Sequence, residues 1–334
     1  MTYDDALDLL ATYHWSFGGG LANHGPTAVE ALAHMGRDIA PFVERYRQQL
    51  EPARRTSEPV EDAGRALRAA LGGLVGQAAA AAGHGLLRVA HAVRAIELEP
   101  TPSRRRELAT GLAYWQRGRG LPGPAALEGS RPLDDVLAAL PRLDPARRGS
   151  GMLDTALAAA ASMPEVTALI GQIEPGHDVA GTLDAVATHA AVAFLAHDGI
   201  AAFALLHGVT VSSMAHRLLG YLDPAGQRQL EAAVVGFVSA ALVAYDTDRA
   251  ASSAEPAAAV EPVAAVQLDP MALAARAAAS PWSPLGPGSR GRPNPERSTV
   301  RPADPIGSAS WTSSKPWRPP GPSATSSRTR SIAS

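Results

Sequence analysis

Apolar residues recur along most of the chain at the three-to-four-residue spacing of amphipathic helices. Near the N-terminus, Leu7, Leu10 and Ala11 fall on one helical face, and Thr2 precedes them as a capping side chain. No window shows the period-two alternation of a half-buried strand, so we predict an all-α fold without a sheet. Further helices are expected at approximately residues 26–35, 38–46, 103–117, 152–162, 164–173, 179–198, 199–208, 210–220 and 224–246, with two more joined at the glycine-rich residues 72–76.

Composition divides the chain into three parts: a single multi-helix domain at residues 1–250, a linker with a partial helix at 251–280, and a tail at 281–334. The tail is rich in Pro, Ser, Arg and Gly and has few apolar side chains, so we predict that it is disordered. Reading GC-rich codons in a shifted frame yields Pro, Ser, Arg and Gly, as in this tail. We therefore hypothesise that a frameshift produced the tail, which resequencing of the locus would test.

The charge balance gives no reason to expect a polyanionic partner. The formal net charge is -2 and the pI is about 6.6, so no global field attracts nucleic acid or an anionic membrane. The most apolar window, residues 66–93, is interrupted by Arg68 and His84 and is typical of buried helices. The first residues lack the basic region of a secretory signal. We expect a cytoplasmic protein with no nucleic-acid or membrane partner.

Several common cofactor and metal sites are excluded by residue type. The chain has no cysteine, so a metal would have to be bound by His, Asp or Glu. A glycine motif typical of dinucleotide-binding folds occurs at residues 118–123 and again at 286–291, but neither copy follows a predicted strand or opens a helix. Lys315 is the only lysine and does not follow glycine, which excludes a P-loop.

The first candidate metal ligand is His24, which lies between Asn23 and Gly25 where a helix begins. The partial positive charge of a helix N-terminus disfavours the imidazolium form, and neutral imidazole is the form that binds metal. The alternative is that Asn23 or His24 simply caps the helix.

The second candidate is His84, which is flanked by glycines that allow another backbone or a ligand to approach. His91 is seven residues further along the same helical face, with Leu87 between them. That spacing corresponds to roughly 10 Å along a straight helix. We therefore expect only one of the two histidines, His84, to contact the metal directly. The alternative for His91 is a buried histidine bonded to a carbonyl.

The third candidate, His207, ends an apolar run at a predicted junction between two helices. Histidines on separate helices of an all-α chain predict a histidine-rich metal centre. Glu30 lies among apolar neighbours and is expected, with Asn23, to assist catalysis by orienting a ligand.

Three blocks of sequence carry a family resemblance. They are YHWSFGGGLANHGPTAVEALAHMG at 13–36, AAAGHGLLRVAHAVRAI at 80–96 and LLHGVTVSSMAHRLLGYL at 205–222. Together, in this order, they resemble the questin oxidase-like family, over nearly all of residues 1–245.

The resemblance implies an α-helical oxidoreductase of polyketide metabolism. Fungal members cleave the ring of anthraquinones by inserting oxygen, and members look like non-haem iron oxygenases that use O₂, with NADPH also described for the family. Fe(II) is the implied metal and NADPH the second implied cofactor. Carried over residue by residue, the metal ligands would be His24, His84 and His207, with His91 as a further one. Arg88 stands where some relatives have a second histidine.

The C-terminus departs from the family pattern. Longer relatives carry a late helix with an H-x-x-K pattern that is thought to complete the metal site. Residues 269–280 resemble the approach to this helix, but no histidine follows His216. If the tail is natural, the site lacks ligands, and the alternative function is a catalytically inactive helical binding protein for a hydrophobic small molecule.

Overall fold

The computed structural model describes residues 1–246 except 19, 55 and 149–151. The predicted linker and the predicted tail lie outside the described residues.

The described chain is all-α, which confirms the predicted fold class. Its helices are α1 (Tyr3–Leu10), α2 (Gly25–His34), α3 (Ala40–Tyr46), α4 (Ala63–Leu74), α5 (His84–Leu98), α6 (Pro102–Trp115), α7 (Leu133–Ala139), α8 (Leu153–Ala161), α9 (Pro164–Ile170), α10 (Val179–Ala196), α11 (Gly199–Ala215) and α12 (Pro224–Tyr245). Short 3₁₀ turns occupy Arg47–Gln49, Val75–Gln77, Ala80–Gly83, Pro145–Arg148 and His216–Tyr221.

Local sequence signals set several of the helix ends. Thr2 caps α1 in a reciprocal arrangement: its hydroxyl accepts from the Asp5 backbone N–H, and the Asp5 carboxylate accepts from the Thr2 N–H. Pro26 is the second residue of α2 and not, as predicted, the first, because the helix begins at Gly25. Gly36, with φ of 64°, follows the end of that helix.

The prediction that the chain contains no sheet is wrong in one small place. Two-residue strands, β1 (Ser16–Phe17) and β2 (Leu21–Ala22), pair antiparallel in the loop before α2. Gly18 and Gly20 have positive φ values, which allows the chain to reverse direction between the strands. Strands of two residues are too short to give a periodic sequence signal.

The predicted break between helices at residues 208–210 is also wrong, because α11 continues through Gly208. A Cβ added to Gly208 would lie 2.9 Å from the Cβ of Ala190 on α10. The glycine therefore allows close packing of α10 and α11 and does not end a helix. His207 consequently lies inside a helix and not at a helix junction.

The hydrophobic core has two parts. A small cluster joins α1, α2 and α3, with Leu7, Val29 and Val43 fully buried. The larger cluster contains most of the remaining helices around α12, whose second half is almost entirely buried. Helix α5 packs against α2, α6 and α11, and it therefore links the two parts.

Within the described residues, three helical segments are long and apolar enough to cross a membrane, judged by length and composition alone: α10, α11 with its following 3₁₀ turn, and α12. The pair α8 and α9, bent by 75°, would make a fourth. α12 is mostly buried, whereas α10 and α11 bury less than half of their residues and expose Val192, Leu195 and Ile200. The expected absence of a membrane partner stays a prediction.

Candidate functional site

A partly open cavity of about 220 Å³ lies where the loop before α2, one face of α5 and the first half of α11 meet. Its lining includes all four histidines named as candidate ligands, together with Arg88 and Phe203. The structure thus brings side chains from three distant parts of the sequence to one place.

The loop before α2 presents His24 to this cavity. Asn23, one residue before the N-cap residue His24, supplies the side-chain cap: its Oδ1 accepts from the Gly25 N–H at 2.9 Å, and its Nδ2 donates to the His14 carbonyl at 2.9 Å. The backbone N–H of His24 donates to the Tyr46 hydroxyl, while the His24 side chain makes no capping hydrogen bond. The capping alternative therefore applies to Asn23, and the His24 imidazole lines the cavity. The catalytic role of Asn23 stays a prediction.

A left-handed turn immediately before α5 fixes the orientation of His84. Ala81, Ala82 and Gly83 have φ values of 50°, 55° and 84°. This turn brings the Ala81 carbonyl to the His84 Nδ1–H. A left-handed conformation costs an alanine roughly 1–2 kcal/mol, and strain of this kind is concentrated at functional sites.

His207 is fixed in the same way from α11. Its Nδ1 lies 2.8 Å from the Phe203 carbonyl, one turn earlier. Because a carbonyl oxygen can only accept, Nδ1 carries the proton in both His84 and His207, and each Nε2 has a free lone pair. These two Nε2 atoms face each other at 3.3 Å.

The His24 ring lies beside this pair. The His24 and His84 ring centroids are 4.6 Å apart with 70° between their planes, and the His84 and His207 centroids are 5.0 Å apart with 80° between their planes. In the ranges that the structure describes, however, no group of three or more His, Asp or Glu side chains is arranged to hold a metal ion. The three rings therefore form a histidine cluster. Within it, the Nε2 atoms of His84 and His207 face each other.

The surroundings keep the three imidazoles neutral. Burial first, and then the charges of His207, His91 and Arg88, lower the pKa of His24 to about 4. Burial, followed by the nearest histidine, lowers the pKa of His84 and that of His207 to about 3. At neutral pH all three can act as metal ligands without first losing a proton.

His91 lines the cavity but is bound to a carboxylate. Its Nδ1 lies 2.7 Å from Glu30, which is 3% exposed and also bound by Arg94. Burial alone would raise the pKa of Glu30, but the hydrogen bonds from His91 and Arg94 outweigh it and lower this pKa to about 2. Glu30 is therefore ionised and contacts the cavity only through His91. The partner of His91 is a carboxylate and not the carbonyl that the alternative expected.

Sequence reasoning missed the pairing of Arg88 with Glu107. Arg88 and Glu107 are 4% and 6% exposed and form a two-bond ion pair between α5 and α6. The available signal was spacing, because Arg88 lies four residues after His84 and three before His91, on the same helix face.

The glycine motif at residues 118–123 does not fit a dinucleotide. It lies in the connection between α6 and α7, and its glycines permit close packing: a Cβ on Gly118 would lie 2.4 Å from the Cβ of Ala80, and one on Gly120 would lie 3.0 Å from the Gly76 carbonyl. NADPH remains an expectation from the family resemblance.

Comparison of the chain with family models, with curated proteins and with solved structures gives no match. The resemblance to the questin oxidase-like family therefore remains a prediction from the sequence blocks.

Proposed function

We propose that the protein is a non-haem iron oxygenase in which His84 and His207, joined by His24, hold Fe(II) beside a cavity for a small aromatic substrate. The substrate class expected from the sequence resemblance is an anthraquinone-like polyketide, with O₂ as the second substrate. The cavity lies slightly below the roughly 300–1,000 Å³ of typical ligand pockets. We therefore expect a ligand of modest size.

One observation carries this proposal: the unprotonated Nε2 atoms of His84 and His207 face each other at 3.3 Å. Two neutral acceptors in this arrangement repel each other, since neither has a proton to share. A cation bound by both lone pairs removes the repulsion. With metal–nitrogen bonds of about 2.1 Å, adjacent tetrahedral or octahedral ligands are about 3.0–3.4 Å apart, which matches the observed separation.

The donor chemistry also fits iron. Imidazole nitrogens bind Fe, Zn, Cu and Ni, and few ligands leave positions open for substrate and O₂. The carbonyls of Ala81 and Phe203 hold the two rings in the tautomer that presents Nε2. When bound, Fe(II) would supply the O₂ chemistry that oxygen insertion requires.

The remaining residues of the cavity would bind the substrate and accept a proton. Leu87, Phe203 and Leu206 form apolar walls that exclude water. Ionised Glu30 accepts the Nδ1 proton of His91, so His91 presents Nε2 to the cavity. That atom can accept a proton from a phenolic hydroxyl of the substrate.

Elemental analysis tests the proposal. We expect the purified full-length protein to contain about one iron per chain, and His24→Ala, His84→Ala and His207→Ala to lower this content sharply with no change in helical circular dichroism. His34→Ala, on α2 but outside the cavity lining, is the matched control and should retain iron. Unchanged iron in both His84→Ala and His207→Ala would refute the assigned ligands.

A second candidate function follows from the absence of a three-ligand arrangement in the described residues. The cavity would then hold a hydrophobic small molecule without turning it over. An iron-free preparation that binds quinones in equilibrium dialysis, and does not take up added Fe(II), supports this binding protein over the oxygenase.

A further inference from the structure

One guanidinium nitrogen of Arg88 has no hydrogen-bond partner in the part of the chain that the structure describes. Nε and Nη2 of its guanidinium donate to Glu107 at 2.5 and 2.9 Å. The third nitrogen, Nη1, is buried and has no hydrogen-bond partner among the described residues. A buried donor left unsatisfied is costly, and such groups are rare in folded proteins. An acceptor from outside the described chain would remove this cost.

The position of Arg88 relates this nitrogen to the cavity. Arg88 is itself part of the cavity lining, one turn after His84 on α5. Its charge also lowers the pKa of His24, after burial and the neighbouring histidines, and opposes the burial that raises the pKa of Tyr114. Both of these side chains line the same cavity.

We propose that Nη1 of Arg88 donates a hydrogen bond to a carbonyl oxygen of the aromatic ligand, and that Glu107 holds the guanidinium in place. This inference starts from the ligand cavity of the proposed function and assigns the residue that recognises the polar end of the ligand. The bond would be charge-assisted. Because Nε and Nη2 are already bound to Glu107, the position of Nη1 would be fixed.

The charge balance favours a neutral carbonyl over a carboxylate. Glu107 already neutralises Arg88, and Arg94 is paired with Glu30. In the metal-free protein, a carboxylate would add an uncompensated negative charge to a cavity with apolar walls, which is costly. A carbonyl oxygen accepts the same hydrogen bond without that cost.

Binding of three related probes to the full-length protein tests the assignment. 2-Acetylnaphthalene has a neutral acceptor, 2-ethylnaphthalene lacks the oxygen, and 2-naphthoate is an anion. By calorimetry, we expect the acetyl compound to bind at least about tenfold more tightly than the ethyl compound, as for one charge-assisted hydrogen bond. After metal removal by chelation, it should also bind more tightly than the naphthoate.

The matched variant replaces the whole ion pair, Arg88→Met with Glu107→Gln, so that no single buried charge remains. We expect it to bind the acetyl and ethyl compounds equally. The control is Arg104→Met with Asp4→Asn, which removes a partly buried ion pair between α6 and α1 outside the cavity lining and should retain the tenfold difference.

The assignment would be overturned if the Arg88 double variant kept the tenfold difference between the acetyl and ethyl compounds. It would also be overturned if the chelated protein bound 2-naphthoate more tightly than 2-acetylnaphthalene. The Arg88 double variant must first show the circular dichroism of the parent. If it does not fold, the comparison of the three probes on the unaltered protein decides: no preference for the acetyl compound refutes the role of Arg88. Iron content is measured separately, so failure of the oxygenase proposal is distinguishable from failure of this one.

Discussion

His84 and His207 each donate their Nδ1 proton to a backbone carbonyl, and each has a pKa of about 3, lowered first by burial. An unfolded chain exposes the same imidazoles to water, where their ordinary pKa is about 6.5. The unfolded state therefore binds protons at a higher pH than the folded state does. This difference makes the histidine cluster a source of acid sensitivity in the metal-free protein.

We predict that metal-free protein loses stability as the pH falls from about 6.5 to about 4. Each of the three histidines contributes about 1.4 kcal/mol per pH unit in this range, because its folded pKa is lowered. His207→Asn keeps a donor for the Phe203 carbonyl but cannot titrate. Near pH 5, its free energy of unfolding should change less steeply with pH than that of the parent, by about 1.4 kcal/mol per pH unit.

Urea denaturation between pH 4 and 7 measures this slope. His177→Asn, at an exposed position, is the control for the removal of one histidine. Identical slopes in His207→Asn and the parent would show that the imidazole at position 207 is not kept neutral by the fold.

Helix α5 carries His84, Arg88 and His91 on one face, so its packing determines the geometry of the cavity. Gly85 packs closely against α6. A Cβ there would lie 2.7–2.8 Å from atoms of Trp115, including its Cα. Trp115 is fully buried and cannot move aside without displacing α6.

We predict that Gly85→Ala lowers the free energy of unfolding by about 1–3 kcal/mol, the usual cost of overpacking, and weakens ligand binding by shifting α5. The matched control is Gly72→Ala on α4, where an added Cβ meets nothing within 4 Å. It should raise stability by about 0.5–1 kcal/mol, because alanine restricts the unfolded chain and favours helix. Thermal and chemical unfolding measure both. Similar destabilisation by the two substitutions would contradict the close contact at Gly85.

The elements that local chemistry specifies could be predicted from the sequence. The spacing of apolar residues predicts the helices, and Thr2 and Pro26 predict where two of them begin, because these signals act within one helical turn. The prediction that a helix ends at Gly208 was wrong, because this glycine allows α10 to pack closely, and α10 lies elsewhere in the sequence. The left-handed turn at residues 81–83 was not foreseen, since two of its residues are alanines.

The same distinction applies to the cavity. Glycine and proline neighbours mark His24 as unusual, and glycines mark His84, so their candidacy could be read locally. The pairing of Arg88 with Glu107 depends on how α5 packs against α6, which no local pattern specifies. The opposed Nε2 atoms likewise exist only in three dimensions.

At the scale of the whole molecule, the two hydrophobic clusters of the described residues extend from Ala6 to Tyr245. The helix that ends this range, α12, packs against α8, α10 and α11 and is mostly buried. These contacts should suffice for folding. The part of the chain after residue 246 would then be dispensable for stability.

We therefore predict that a chain ending at Asp246 keeps the helical circular dichroism and the Tm of the full chain to within a few degrees, whereas a chain ending at Asp223, which lacks α12, does not fold. The same pair of chains locates the metal ligands. If His24, His84 and His207 suffice, the chain ending at Asp246 should contain as much iron as the full chain. Normal melting with lost iron would show that a ligand lies beyond residue 246, and a large fall in Tm would show that the core extends there.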